Sequence, residues 1–144
     1  MSTQSVRDLF DSWERVWHEG QYSLVAKCVA PVYIRHEEAG TRKVTPAEYA
    51  AELATAHRDR PNTRIVVYDH EITADRAWFR FTLMWDDAKT GEKCTRAGMQ
   101  LYRIEGGKLA ETWLTLLSLG SAWPDVGRQE RWTSKPPSHP AISN

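Results

Sequence analysis

The chain has 144 residues, with 19 acidic and 19 basic side chains and a formal net charge of zero. That length suits one domain built on one core. The even mixture of charges, without a block of either sign, argues against nucleic acid or an anionic membrane surface as partner.

The apolar runs are too short to span a bilayer. The opening MSTQSVRDLF has no basic segment followed by an apolar stretch, so a cytoplasmic location is expected. Cys28 and Cys94 sit in apolar or strand contexts, which suggests two reduced thiols rather than a disulfide. Seven tryptophans are many for such a chain. Each indole N–H needs an acceptor when buried, so their number points either to a hollow for a flat organic ligand or to an oligomer interface.

In chain order, Val6, Leu9, Phe10, Trp13, Val16 and Trp17 follow the i, i+3, i+4, i+7 spacing of one helical face, and Gly20 supplies the stop. A shorter helix is predicted over residues 22–29, ended by Pro31, then a strand over 32–37 and a loop through "EAGTRK". Thr45-Pro46-Ala47-Glu48 is a helix start: a capping threonine, proline at the first position and glutamate at the third. That helix turns Tyr49, Leu53 and Ala56 inward and breaks at residues 59–62.

Strands follow at 64–73 and 76–86, joined by Ala74-Asp75, then at 93–104, and the last arm runs to about Leu117. Gly106-Gly107 between the last two permits the positive φ angles of a two-residue hairpin. Alternation in 93–104 gives Arg96, Gly98, Gln100 and Tyr102 one face and Ala97, Met99 and Leu101 the other, and the apolar set is the ordinary choice for the core. After residue 120 the sequence has no period and several prolines, so 1–120 reads as the domain and 121–144 as an irregular tail anchored by Trp123 and Trp132. Helices early and strands late predict an α+β fold. A strongly curved antiparallel sheet wrapped around about three N-terminal helices makes a cone, whose mouth is a favourable place for a small molecule.

The stretches "VRDLFDSWERVWHEGQY", "VYIRHEEAG", "TPAEYAAEL" and "GMQLYRIEGGKLAETW" resemble the SnoaL-like group of the nuclear-transport-factor-2-like superfamily, across residues 5–118. That group is similar to polyketide cyclases and ketosteroid isomerases. The resemblance implies a base at Glu37, before the glycine of the first strand's exit loop, and His36 beside it is the alternative base or proton shuttle, since its free pKa lies nearest the working pH. It also implies oxyanion donors at Trp13, where isomerase-like relatives carry tyrosine, and at Gln100, where they carry a protonated aspartate. Cyclases of the group often carry an aspartate shortly after the tryptophan of the last strand. Here Trp113 is followed by Leu114, Thr115, Leu116 and Leu117, so that acid is missing.

Uncharged indole and amide donors can receive an enolate oxygen without titrating, whereas a base at Glu37 needs an apolar wall to bring its pKa toward neutrality. Tyr33, Arg80, Arg96, Trp17, Trp85 and Trp113 complete the substrate-binding set, with the arginines as clamps for a carboxylate or an aromatic ring. His57 and His70 have no evident partners, and nothing in the spacing suggests a metal or cofactor site.

The expected function is a cofactor-independent lyase, isomerase or cyclase using general acid–base chemistry on a small aromatic or polycyclic substrate. The alternatives are a formaldehyde-releasing lyase acting on lignin-derived diaryl diols and a non-catalytic binding or structural protein. A homodimer or homotrimer is expected from the outer face of the sheet.

Overall fold

The computed structural model describes residues 2–137, so residues 138–144 of the expected tail lie outside the described residues. Helix α1 spans Thr3–Glu19, capped by the Ser2 side chain and ended by Gly20 at φ 65°. A 3₁₀ turn over Tyr22–Leu24 leads into the short α2, Val25–Cys28. Strand β1 covers Val29–Glu37 and β2 covers Gly40–Val44. Helix α3, Pro46–Asp59, carries the predicted capping box: Thr45 accepts from the Glu48 amide while the Glu48 carboxylate accepts from that of Thr45. The remaining strands are β3 (Arg64–Ile72), β4 (Arg76–Asp86), β5 (Lys93–Glu105) and β6 (Lys108–Leu116).

They form one six-stranded sheet in the order β2-β1-β6-β5-β4-β3. The pairings are antiparallel except that β1 lies parallel to β6, so the sheet is mixed. This is the α+β, cone-like arrangement expected, with the inner face of the sheet closed over α1 and α3. Val6, Phe10, Trp13 and Val16 of α1 are fully buried there against Phe79, Tyr102 and their neighbours. Among the described residues no helix is long and apolar enough to cross a membrane.

Two local expectations change. The segment expected as a loop after β1 holds strand β2, because Glu37 and Gly40 (φ 121°) close a tight hairpin that lets Thr41–Val44 pair back onto β1. Ala56 on α3 is exposed although Tyr49 and Leu53 are buried.

The larger change is on β5. Gln100 and Tyr102 face inward, while Met99 and Leu101 are 45% and 40% exposed on the outside. Pairing explains the inversion. Gln100 sits opposite Phe79 and Tyr102 opposite Ala77, so β5 must share the face that the aromatic residues of β4 fix toward the helices.

Residues 117–137 carry neither helix nor strand but are held at many points. They start on the outer face, where Trp123 donates its indole N–H to the Gly98 carbonyl and Asp125 receives two bonds of 2.7 Å from Arg80. They then round the edge strand β3, where the Gln129 amide donates to the Val67 carbonyl at 2.8 Å. They end on the inner side, where Trp132 is buried beside Phe79 and α1. The wrapping satisfies backbone groups that an edge strand otherwise leaves open.

Candidate active site

The inner face of β1 presents Tyr33 and Arg35, and alternation carries the same face on to Glu37. The structure adds Arg35 to the residues expected from sequence. Arg35 is only 4% exposed, unusual for a residue that remains a cation under all ordinary conditions. One amino group donates to the Tyr33 hydroxyl at 3.1 Å, and the other donates to Glu37 at 3.2 Å. Its carbon lies 4.7 Å from the ring centre of Tyr49 and 5.4 Å from that of Tyr33, a cation–π cradle. Burial disfavours the cation, but Tyr49, Tyr33 and Glu37 more than offset this and its pKa lies above the ordinary value. Nε remains buried with no acceptor. Tyr33, having accepted from Arg35, shares a further hydrogen bond with Thr112.

Arg35 forms one wall of a cavity of about 40 Å³, together with Trp17, Phe81, Gln100, Leu114 and Leu116. Leu114 and Leu116 are two of the four apolar or uncharged residues that follow Trp113. The interior therefore has an apolar wall on the last strand and a fixed cation on the adjacent first strand. Such a site is better suited to receive an anion than to supply a proton. A second, smaller void beneath Trp132 shares Phe81 and Gln100 with the first.

The expected site residues divide between the two faces of the sheet. Gln100 lines both inner voids. Trp13 lines neither; it is buried, stacked on Tyr49 at 6.0 Å, and directs its indole hydrogen bond to Tyr102. The donors at the cavity are thus Gln100 and Arg35 rather than Gln100 and Trp13. Trp17 reaches the cavity, whereas Trp85 is buried under the Arg60 guanidinium.

Glu37 is on the inner side but does not meet the electrostatic expectation. Burial alone would raise its carboxyl, yet Arg35 and Arg42 outweigh burial and hold it below its ordinary value. His36 points to the opposite face. It stacks on Trp113 at 5.1 Å, with Nδ1 bonded to Thr41 and Nε2 to Glu111 at 2.7 Å. Arg80 also faces outward, between Tyr68 and Trp123, where its guanidinium is paired with Asp125 of its own chain instead of facing the cavity. Arg96 spends its donors on the Leu117 carbonyl and on Glu38.

The two histidines with no evident partner in sequence have partners in the fold. His57 Nδ1 is bonded to the Tyr22 hydroxyl at 2.8 Å, and burial, aided by His18, lowers its pKa. His70 is bonded to Gln129 and stacked on Phe79. Among the described residues no group of three or more His, Cys, Asp or Glu side chains is arranged to hold a metal ion.

Arg35 is legible in the sequence only in part. Its alternation with Tyr33 on β1 is visible there, but a charged residue on a short strand reads as solvated until the partner strand and Tyr49 are known.

The family model described as SnoaL-like polyketide cyclase matches residues 7–118. No curated protein matches the sequence. Among solved structures, a SnoaL-like polyketide cyclase from Agrobacterium tumefaciens superposes with a TM-score of 0.69 at 14% identity, over 78% of this chain and 91% of that one. TsrD from Streptomyces laurentii gives 0.69 at 17% identity, over 81% and 90%. A protein of ketosteroid isomerase-like fold from Catenulispora acidiphila gives 0.62 at 12% identity, over 74% and 83%. At these identities the likeness is one of fold.

Proposed function

The chain belongs to the SnoaL-like polyketide cyclase family, and from that premise we propose that it is a cofactor-independent enzyme of the cyclase or isomerase type, acting on a small aromatic substrate. The reaction begins by moving a proton from a carbon next to a carbonyl. The observation that carries this reading is the buried Arg35, which lines a cavity with Gln100 and an apolar wall and whose Nε has no acceptor.

In the proposed step the Glu37 carboxylate, which lines neither void itself but is bonded to the cavity residue Arg35, takes the proton from carbon. The electron pair of that C–H bond moves into the new C–C double bond, and the carbonyl electrons move onto oxygen. The enolate oxygen then accepts from Arg35 Nε and the Gln100 amide. A fixed donor array in a water-poor cavity is worth most at the moment charge develops, because it does not have to reorganise. A carboxylate held below its ordinary pKa is a weak base. The favoured substrates are therefore those whose carbon acid is doubly activated, such as a methylene between two carbonyls. The enolate is afterwards reprotonated or attacks a second carbonyl to close a ring.

Hydrogen–deuterium exchange at the central carbon of benzoylacetone, followed by NMR, tests this without knowledge of the natural substrate. The wild type is expected to accelerate exchange. Arg35→Met and Gln100→Leu are each expected to lower that acceleration by about 10²–10³-fold. No acceleration from a folded protein that binds the diketone would sink the enzymatic reading. It would support a binding protein, a role favoured by the pairing of Glu37 with two arginines.

A further inference from the structure

Within the tail, Trp132 occupies a position that has the character of an occupied ligand site. Trp132 lines the small void of about 10 Å³ above Phe81 and Gln100. The same residue, with Ile65 and Val67, also lines a cleft of about 270 Å³ that opens between α1, β3 and residues 128–131. Trp132, with Ile65 and Val67, therefore forms the wall between an outer cleft and the inner voids. The void beneath it shares Ile65, Phe81 and Gln100 with the Arg35 cavity.

The indole is bound there as a bicyclic ligand would be. Its Nε1–H donates to the Ile65 carbonyl at 3.0 Å, its faces and edges meet Phe79 and His18, and the Trp132 amide is fixed on Glu14 at 3.1 Å. The two inner voids together are far below the roughly 300 Å³ at which ligand pockets begin. Displacing an indole adds space on the order of the 150 Å³ that accommodates a benzene ring.

We propose that the seat of Trp132 is the ring subsite of the ligand cavity, and that the tail is a strap which a planar bicyclic ligand must displace to enter. The ligand carries a hydroxyl or N–H at one end, which takes over the Ile65 carbonyl, and an anionic oxygen at the other, which reaches Arg35 Nε. The anionic end rests on the functional reading above; the displacement of the strap does not.

Release of the strap breaks identifiable bonds. The Gln129 amide leaves the Val67 carbonyl, the Trp132 amide leaves Glu14, and the Arg7 and Asp11 contacts to Thr133 are lost. The strap's anchor on the far side of the sheet, Arg80 with Asp125, sets how readily it leaves. The apparent affinity of such a site is the intrinsic affinity reduced by the fraction of molecules with the strap open.

The test uses the full chain and 6-hydroxy-2-naphthoate as probe, with dissociation constants from calorimetry and amide hydrogen exchange read by NMR. The wild type is expected to bind, with loss of protection at the Gln129 and Trp132 amides while the β4 and β5 amides keep theirs. Asp125→Asn, which weakens the distant anchor, is expected to bind about 3–10-fold more tightly, and Trp132→Phe at least as tightly as that. Both variants are checked for native near-ultraviolet dichroism. Absence of binding overturns the proposal, and so does binding that leaves the Gln129 and Trp132 amides protected. Equal affinities in wild type and Asp125→Asn overturn it as well. Strap release without benzoylacetone exchange would retire the enzymatic reading and leave this one standing, while exchange with the strap closed would do the reverse.

Discussion

Removing the two partners of the inner ion pair is expected to have unequal consequences. In Glu37→Gln, Arg35 loses its carboxylate partner while 4% exposed, and a buried cation is left uncompensated. Such losses cost about 3–5 kcal/mol in general. The faces of Tyr33 and Tyr49 still hold the guanidinium, which brings the expected cost to about 3 kcal/mol. In Arg35→Met, Glu37 keeps Arg42 at 2.7 Å and Tyr33 keeps Thr112. A flexible apolar side chain fills the space, and the cost is expected to be about 1 kcal/mol or less.

Urea unfolding reads the difference directly. With a slope of roughly 1–3 kcal/mol per molar, the Glu37→Gln midpoint falls by about 1–3 M and the Arg35→Met midpoint by a fraction of that. The double variant is expected to recover to near Arg35→Met, because the introduced amide no longer faces a buried charge. Acid offers an independent check. The folded Glu37 pKa is below its ordinary 4.5, so its stabilisation is complete above that value and is lost as pH falls through the folded one. The deficit of Glu37→Gln relative to wild type should therefore shrink on acidification below pH 4.5. An Arg35→Met variant as damaged as Glu37→Gln, or a double variant at the sum of the two, would refute the account of Arg35 as a cation held by its surroundings.

A Cβ on Gly98 would lie 2.7 Å from Leu116 and 2.9 Å from the Phe81 ring, so Gly98→Ala is expected to cost about 1–3 kcal/mol in urea unfolding. Burial pushes the Cys28 thiol up to about 11, while Cys94 is half-buried. An aromatic disulfide reagent at pH 8 should therefore modify one thiol quickly in the native protein and two after denaturation. Two equally fast thiols would contradict the burial of Cys28. Met99, Leu101 and Trp113 form an apolar outer patch, and we expect light scattering to report a dimer or trimer that Leu101→Glu shifts toward monomer. An unchanged mass would remove that face as the interface.

Apart from strand β2, the elements and the cone were readable in the sequence because local chemistry specified them. The capping box at Thr45, the stop at Gly20 and the paired glycines at 106 and 107 each act within a few residues, and periodicity marks the stripe on α1. The inner face of β5 was not readable from that strand alone. Its own alternation favours burying Met99 and Leu101, and the aromatic residues of β4 override it through the register. The candidate site divides in the same way. Gln100 and Glu37 could be named by position, but no local pattern signals that His36 and Arg80 face outward or that Arg35 is enclosed by Tyr33 and Tyr49. Nor does any mark the return of Trp132 around the sheet edge to sit above Gln100. Those facts depend on contacts between residues far apart in the chain, and a side chain's charge and polarity do not reveal what will surround it.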